Sequence, residues 1–222
     1  MLARVLTPLG WLVARQTARR VARPGWRAPV PVLCCGNATV GGAGKTTVAL
    51  DLIARLVARS ERPHALLRGY GGRAGGGAAR PVRPDDSAAE VGDEALLLAA
   101  AAPTWIGADR AAAARAAIAA GAGCLVLDDG LQNPTLVKSV SVLVVDGAAG
   151  FGNGRVLPAG PLREPVATAA SRCTAAVLIG ADVAGARTQL PPDLPVLTAR
   201  LVPDAAMHAL AGQRVFAFAG IG

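Results

Sequence analysis

A lysine and a threonine close the segment Gly36-Asn37-Ala38-Thr39-Val40-Gly41-Gly42-Ala43-Gly44-Lys45-Thr46. An apolar run, Val30–Cys35, precedes it, and an amphipathic pattern follows. Strand, glycine loop and helix in that order form the context a P-loop needs. Glycines let backbone N–H groups turn inward on phosphate oxygens. Thr39, Val40, Gly41, Gly42, Ala43, Gly44, Lys45 and Thr46 are therefore the expected nucleotide cradle. Lys45 would reach the β- and γ-phosphates, and Thr46 would offer its hydroxyl to Mg²⁺. The strict pattern has glycine where this chain has Thr39.

A second apolar run, Cys124-Leu125-Val126-Leu127, ends in Asp128-Asp129-Gly130. Carboxylates at the tip of such a strand are where nucleotide-bound Mg²⁺ needs a ligand. The same triplet is often only a turn, but beside a P-loop the metal role is favoured. Together the two segments predict Mg-nucleotide binding.

Further charged groups sit where strands should end. Asp93 and Glu94 open a helical pattern, so on local grounds Asp93 either caps that helix or does chemistry. Arg68 precedes Gly69-Tyr70-Gly71-Gly72 and suits an anion, while Asp109-Arg110 follows the next strand. Each is equally readable as a surface pair of little consequence. The segment Gly150–Pro165, GFGNGRVLPAGPLREP, has no periodicity and holds Arg155, Arg163, Glu164 and three prolines. A long loop fixed in this way inside a compact domain predicts function.

The elements that must position these groups alternate along the chain. Expected strands are Val30–Cys35, Ala65–Leu67, Thr104–Ile106, Cys124–Leu127, Val140–Val145, Ala175–Ile179 and Val215–Ala219. Several are continuous apolar runs, as strands buried on both faces should be. Helices are expected over Thr46–Ser60, with Val48, Leu52, Ile53, Leu56 and Val57 on one stripe, and over Asp93–Ala102 and Asp109–Ala120. The Gly- and Pro-rich stretch Arg73–Ser87 reads as a mobile loop. The alternation predicts an α/β fold of P-loop NTPase type. Its sheet should be doubly wound and mostly parallel, with helices on both faces and ligands at the carboxyl ends of the strands.

Composition narrows the class. The 222 residues are 52% hydrophobic and 17% charged, which allows a large core and excludes disorder. Aromatics at 3% argue against a base-stacking nucleic-acid module. Cys34, Cys35, Cys124 and Cys173 match neither a disulfide framework nor a zinc site, and read as buried thiols.

Net charge is +8, yet seven cations and no acid lie within residues 1–50. There Leu2, Val5, Leu6, Leu9, Leu12 and Val13 precede Arg15, Arg19 and Arg23, which recur at steps of four on one helical face. Pro8 and Gly10 are expected to break this helix early, leaving Trp11 to Ala22. The apolar stretch is shorter than the roughly 20 residues of a membrane span. A signal peptide fits poorly, because arginines follow at once and no A-x-A site appears. An interfacial helix on anionic lipid fits better, although an ordinary basic surface helix has a similar pattern.

The collinear blocks PVPVLCCGNATVGGAGKT, RGYGG, VGDE, DR, LDDGLQ, GFGNGRVLPAGPLREP and FAFAGIG resemble the tetraacyldisaccharide 4′-kinase (lipid A 4′-kinase) family over nearly the whole chain. PAGPLREP and DDGLQ are far more particular than the P-loop, and the family loop also carries threonine at the position of Thr39. The resemblance implies transfer of the γ-phosphate of ATP to the 4′-hydroxyl of a tetraacyldisaccharide 1-phosphate, a lipid A precursor. The reaction would take place at the cytoplasmic face of the inner membrane of a Gram-negative-type bacterium, with ATP and Mg²⁺. It implies that Asp93 orients or deprotonates the sugar hydroxyl, with Lys45 as its catalytic partner on the phosphates. Glu94 and Asp129 would help to hold Mg²⁺ with Thr46, and Asp128 would support them. Arg68, Arg110, Gln132 and Arg163 would face the phosphorylated disaccharide or the nucleotide. An acylated disaccharide and an anionic membrane surface are the implied partners; neither nucleic acid nor a protein partner is.

The chain departs from the family at Leu67, usually serine, at Asn133, usually histidine, and at Lys138-Ser139, usually Arg-Asp. The implied organisation is a basic membrane-surface helix over 1–28, a P-loop kinase domain over 29–205, and the truncated start of a second domain over 206–222. That second domain would supply a histidine pairing with Asp93, and neither His64 nor His208 matches it. A truncated nucleotide binder with weak or no activity is thus one alternative. The other is a membrane-associated switch ATPase, whose signature lysine before the paired glycines is Val40 here.

Overall fold

The computed structural model describes residues 2–203 and 205–216. Eight strands form one sheet: β1 (Val32–Gly36), β2 (Pro63–Leu67), β3 (Arg80–Pro81), β4 (Thr104–Ile106), β5 (Cys124–Asp128), β6 (Val140–Asp146), β7 (Ala175–Ile179) and β8 (Val196–Ala199). Their order is β3-β4-β2-β5-β1-β6-β7-β8. All neighbours run parallel except β3 and β4. The apolar runs account for this arrangement. All five residues of β2 and of β5 are buried, as a strand covered on both faces requires.

Helices α1 (Leu2–Val5), α2 (Thr7–Val21), α3 (Lys45–Ala58), α4 (Ala88–Val91), α5 (Asp93–Ala99), α6 (Arg110–Ala119) and α7 (Val166–Ala170) complete the fold. Two apolar clusters fill the two faces of the sheet. One holds Ala49 and Ile53 of α3 with Ala95 and Leu98 of α5. The other holds Ala113, Ala114 and Ala117 of α6 with Ala169 and Ala170 of α7. The alanines bring α6 close against the strands, and Asp109 caps it by accepting the Ala111 N–H at 2.9 Å. The α/β doubly wound expectation holds. The central strand β1 lies between β5 on one side and β6 on the other, so the chain winds outward in both directions from the phosphate loop.

Several expectations are corrected. Pro8 does not break the first helix: α2 begins at Thr7 with Pro8 in its first turn, where a missing N–H costs nothing. Gly10 does not break it either. It is buried because a Cβ there would lie 2.8 Å from the Val156 carbonyl oxygen, so glycine lets α2 rest against the 150–165 loop. The segment 73–87 is not an open loop, since it contains β3 and a two-pronged pairing of Arg80 with Asp86 at 2.7 and 2.9 Å. Val57 points outward, 52% exposed, instead of joining the α3 stripe. Val215 and Phe216 belong to no strand, and 217–219 lie outside the described residues. The short strands β3 and β8 and helices α4 and α7 carry too little periodicity to be read from sequence.

At the end of β1 the chain passes very close to the segment after β5. A Cβ on Gly36 would stand 2.5 Å from that of Leu131, itself buried. Gly36→Ala is expected to destabilise the fold by about 1–3 kcal/mol through overpacking. A urea unfolding midpoint unchanged from wild type would contradict that contact.

Candidate active site

The phosphate loop follows β1 and leads into α3. Gly41 and Gly44 have φ of 97° and 80°, values that side chains rarely adopt, and Gly44 is the residue before the first helical turn. Open space surrounds the Cβ position of Gly41 and of Gly42. Lys45 opens α3 and is buried with Ala43, whereas Gly41 and Gly42 are exposed. The helix therefore presents free N–H groups and its positive dipole end to the mouth of the loop, an anion site by construction.

The loop is not held by β1 alone. The Val40 N–H donates to the Pro161 carbonyl at 2.8 Å, and the Arg163 N–H donates to the Ala38 carbonyl at 2.7 Å. Thr39 and Leu162 form the antiparallel bridge between these bonds, and Leu162 is buried. The proline-rich segment thus straps the phosphate loop, which explains why a long aperiodic stretch is ordered there.

Asp128 ends β5, directly beside β1 in the register Cys35–Asp128. Its Oδ2 accepts the Thr46 hydroxyl at 2.7 Å, while Oδ1 is buried without a partner. Burial raises its pKa to about 6, with Glu94 and Asp129 pushing in the same direction and Thr46 and Lys45 opposing. A buried carboxylate that is half satisfied, next to a P-loop hydroxyl and in the field of two further acids, fits a divalent cation. Among the described residues, no three His, Cys, Asp or Glu side chains could hold a metal ion on their own. Mg²⁺ held between phosphates and water needs only one or two carboxylates, so this set is compatible with it.

The raised pKa has a consequence for the nucleotide-free protein. Folding favours the protonated form of Asp128, so the folded state binds more protons than the unfolded state between about pH 4 and pH 6. Stability from this group therefore falls as pH rises through that window. Asp128→Asn removes the buried charge. It also leaves an amide N–H without a partner, so the net gain is about 1 kcal/mol at pH 8 and less at pH 5. Urea midpoints at the two pH values, measured without nucleotide, check this; an equal loss at both would contradict it.

Asp129 follows with φ of 53°, an unusual value for a non-glycine residue. It pairs with Arg163, whose Nη1 lies 2.8 and 2.9 Å from the two carboxylate oxygens. Arg163, whose side chain is 28% exposed, thus commits one guanidinium nitrogen to Asp129. Gln132 lies deeper. Its amide N–H₂ donates to the Asn37 carbonyl and to Glu164 Oε1, both at 2.9 Å, and its side chain is buried. Arg110 is likewise 3% exposed and donates to the Gly107 carbonyl. Burial lowers its pKa to about 10, partly offset by Asp129, so it stays charged at neutral pH. Arg68 is exposed at the end of β2 and its charge acts on Arg110.

Asp93 and Glu94 are exposed in the first turn of α5, and Gly92, with φ of 88°, takes the capping position. Asp93 is not the cap residue. Its carboxylate accepts the Glu94 N–H at 3.0 Å and otherwise faces outward. Sequence reading missed Asn37 and Arg172. Asn37 is fully buried and bonds Thr39, and Arg172 binds Glu164 at 2.7 Å. Neither lies in a recognisable pattern. All four cysteines are free, and burial raises the Cys34 thiol to about 12, which makes it inert.

A family described as tetraacyldisaccharide-1-P 4′-kinase matches residues 2–222. The chain belongs to that family. It is similar to the tetraacyldisaccharide 4′-kinase of Gluconacetobacter diazotrophicus, 63% identical over 99% of this chain and 67% of the relative. That of Rhodospirillum centenum is 58% identical over 100% of this chain and 66% of the relative. Among solved structures it is similar to LpxK from Aquifex aeolicus in complex with ATP, with a TM-score of 0.74 and 27% identity over 89% of this chain. The match spans 64% of that chain, so this chain covers about two thirds of the length of its family relatives. The architecture of a P-loop kinase follows from the same comparison.

Proposed function

We propose that this chain carries the ATP-binding and phosphoryl-transfer machinery of a tetraacyldisaccharide 4′-kinase, moving the γ-phosphate of ATP to the 4′-hydroxyl of a tetraacyldisaccharide 1-phosphate. The observation that carries the reading is the Thr46–Asp128 hydrogen bond at the foot of a strapped phosphate loop, with a buried Asp128 oxygen left over. Family membership supplies the acceptor.

In this reading Gly41, Gly42, Ala43 and Gly44, with Thr39 and Val40 at the entrance, bind the phosphates through backbone N–H groups. Lys45 neutralises the charge that builds between the β- and γ-phosphates. Thr46 and Asp128, with Glu94 and Asp129 nearby, would hold Mg²⁺, which when bound would neutralise charge on the transferring phosphoryl group. Asp93 orients the 4′-hydroxyl and accepts its proton. With a loose transition state, positioning counts for more than basicity, and an exposed carboxylate at a helix start suits an incoming sugar. Arg68 and Arg110 add positive potential around the acceptor phosphate. Arg163 and Gln132 act from behind, through Asp129 and the phosphate loop.

The first 28 residues would bring this domain to its lipid. Val5, Leu9, Trp11 and Leu12 are 68%, 50%, 72% and 64% exposed on α1 and α2, with Arg15, Arg19 and Arg20 exposed beyond them. No described helix is long and apolar enough to cross a membrane, so the helix would lie in the interface. ATP as donor puts the reaction on the cytoplasmic face of the inner membrane. Replacing Trp11 and Leu12 together by glutamate is expected to weaken binding to anionic vesicles at least about tenfold, because each buried apolar side chain contributes about 1.5–3 kcal/mol. Sedimentation with vesicles checks it, and unchanged binding would remove the helix from the account.

Product formation tests the assignment. The chain with Mg-ATP and detergent-dispersed tetraacyldisaccharide 1-phosphate is expected to yield a second phosphomonoester in the phosphorus NMR spectrum. ATP hydrolysis at a rate indifferent to the lipid, with no such signal, would favour a switch ATPase.

A further inference from the structure

Away from the phosphate loop, a cavity of about 240 Å³ opens between the end of α2 and the segment that returns from β5 to β6. Arg23, Lys138 and Arg172 line it, and no acidic side chain does so among the described residues. Arg172 is neutralised by Glu164 at 2.7 Å, and its Nε is buried without a partner. Arg23 makes no ion pair among the described residues. Lys138 spends one of its three donors on the Asn133 carbonyl. Two positive charges thus remain uncompensated around one small space.

From these charges and walls, we infer that this cavity is a second anion site, built for a phosphomonoester and separate from the phosphate loop. A phosphomonoester dianion matches the two free charges and has acceptors enough for an arginine and an ammonium. The cavity is also larger than a bare phosphate requires, since a water takes about 30 Å³. Its other walls include Val21, Leu136 and Val137, which suit the carbon skeleton attached to a phosphate. Burial and the charge of Arg172 lower the Lys138 pKa, a cost that a bound anion would reverse.

The site is wired to the catalytic end. Arg172 holds Glu164, Glu164 accepts from Gln132, and Gln132 lies 3.5 Å from Arg163, the partner of Asp129. An anion that draws on Arg172 therefore acts on the same polar chain that fixes Asp129.

Two sources supply such a group: a soluble phosphomonoester, or the headgroup of an acidic lipid beside α2. Calorimetric titration of inorganic phosphate and of glycerol 3-phosphate into the whole chain, with the phosphate loop saturated by a magnesium complex of a non-hydrolysable ATP analogue, tests the site. Sedimentation with phosphatidic acid vesicles, against phosphatidylglycerol vesicles of equal charge, tests the lipid source. A Kd of about 1 mM or tighter is expected, weakened at least about tenfold in Arg23→Gln and in Lys138→Gln. Arg23 is exposed, so its variant keeps the fold even if that of Lys138 does not. Loss confined to phosphatidic acid vesicles assigns a lipid headgroup, and loss in the soluble titrations assigns a free phosphomonoester. Absence of binding by the wild type in every arm, or binding untouched by both substitutions, overturns the inference.

Discussion

Replacing Asp93 by alanine is expected to lower kcat by about 10²–10⁴-fold, the range for losing a positioned acid–base group, while the fold survives. Exposure is the reason for the second half of that statement. Asp93 is exposed and accepts one hydrogen bond of 3.0 Å, from its neighbour's N–H in the first turn of α5. Removing a first-turn acid costs about 0.3–1 kcal/mol. The KM for ATP should change little, because Asp93 is on a different element from the phosphate loop. Asp93→Asn separates two contributions. The amide oxygen can still accept a hydrogen bond from the sugar hydroxyl and orient it, but the group cannot take a proton. A rate for the asparagine variant well above that of alanine would assign most of the effect to orientation.

Lys45→Ala is expected to cost about 10²–10³-fold in kcat, as removal of one preorganised charge from a transition state does, and to weaken ATP binding as well. The lysine is 9% exposed at the start of α3, and its charge acts on Asp128. Without it the Asp128 carboxyl has less to stabilise its ionised form, so its pKa should rise further above 6. The acid limb of the variant's residual activity should therefore lie at higher pH than that of the wild type. A pH–rate profile of both proteins checks this, and acid limbs at the same pH would contradict the coupling.

These two residues show how unevenly the site can be read from sequence. Lys45 and Thr46 come with a strand, a glycine loop and a helix, and the geometry of the loop follows from that order. The Thr46–Asp128 bond joins positions 82 residues apart, yet it is foreseeable because β1 and β5 are both buried apolar runs that end in polar groups. Arg163 and Gln132 are different. Their presence near the site is legible, but their partners are not. A guanidinium that serves Asp129 and one that serves a ligand are the same residue in the sequence. The bridge between Leu162 and Thr39, with the Arg163 N–H on the Ala38 carbonyl, places Arg163 against the phosphate loop.

The fold shows the same division. Cys124–Asp128 announces itself by five apolar or strand-end residues, whereas β8 lies on the sheet edge with three of its four residues exposed and has no such run. Pro8 and Gly10 mislead for a physical reason. Proline is harmless in a first turn, and glycine at position 10 is required by the approach of α2 to Val156. Local propensity gave way there to packing.

The fate of the γ-phosphate tests the central claim most directly. Wild type, Asp93→Ala and Lys45→Ala would each be given γ-labelled ATP, Mg²⁺ and tetraacyldisaccharide 1-phosphate, and the label located in lipid or in free phosphate. The account predicts label at the 4′ position with the wild type, and a loss of about 10²-fold or more in both variants with their circular dichroism unchanged. Label released as inorganic phosphate regardless of the lipid, or transferred equally well by Asp93→Ala, would contradict it.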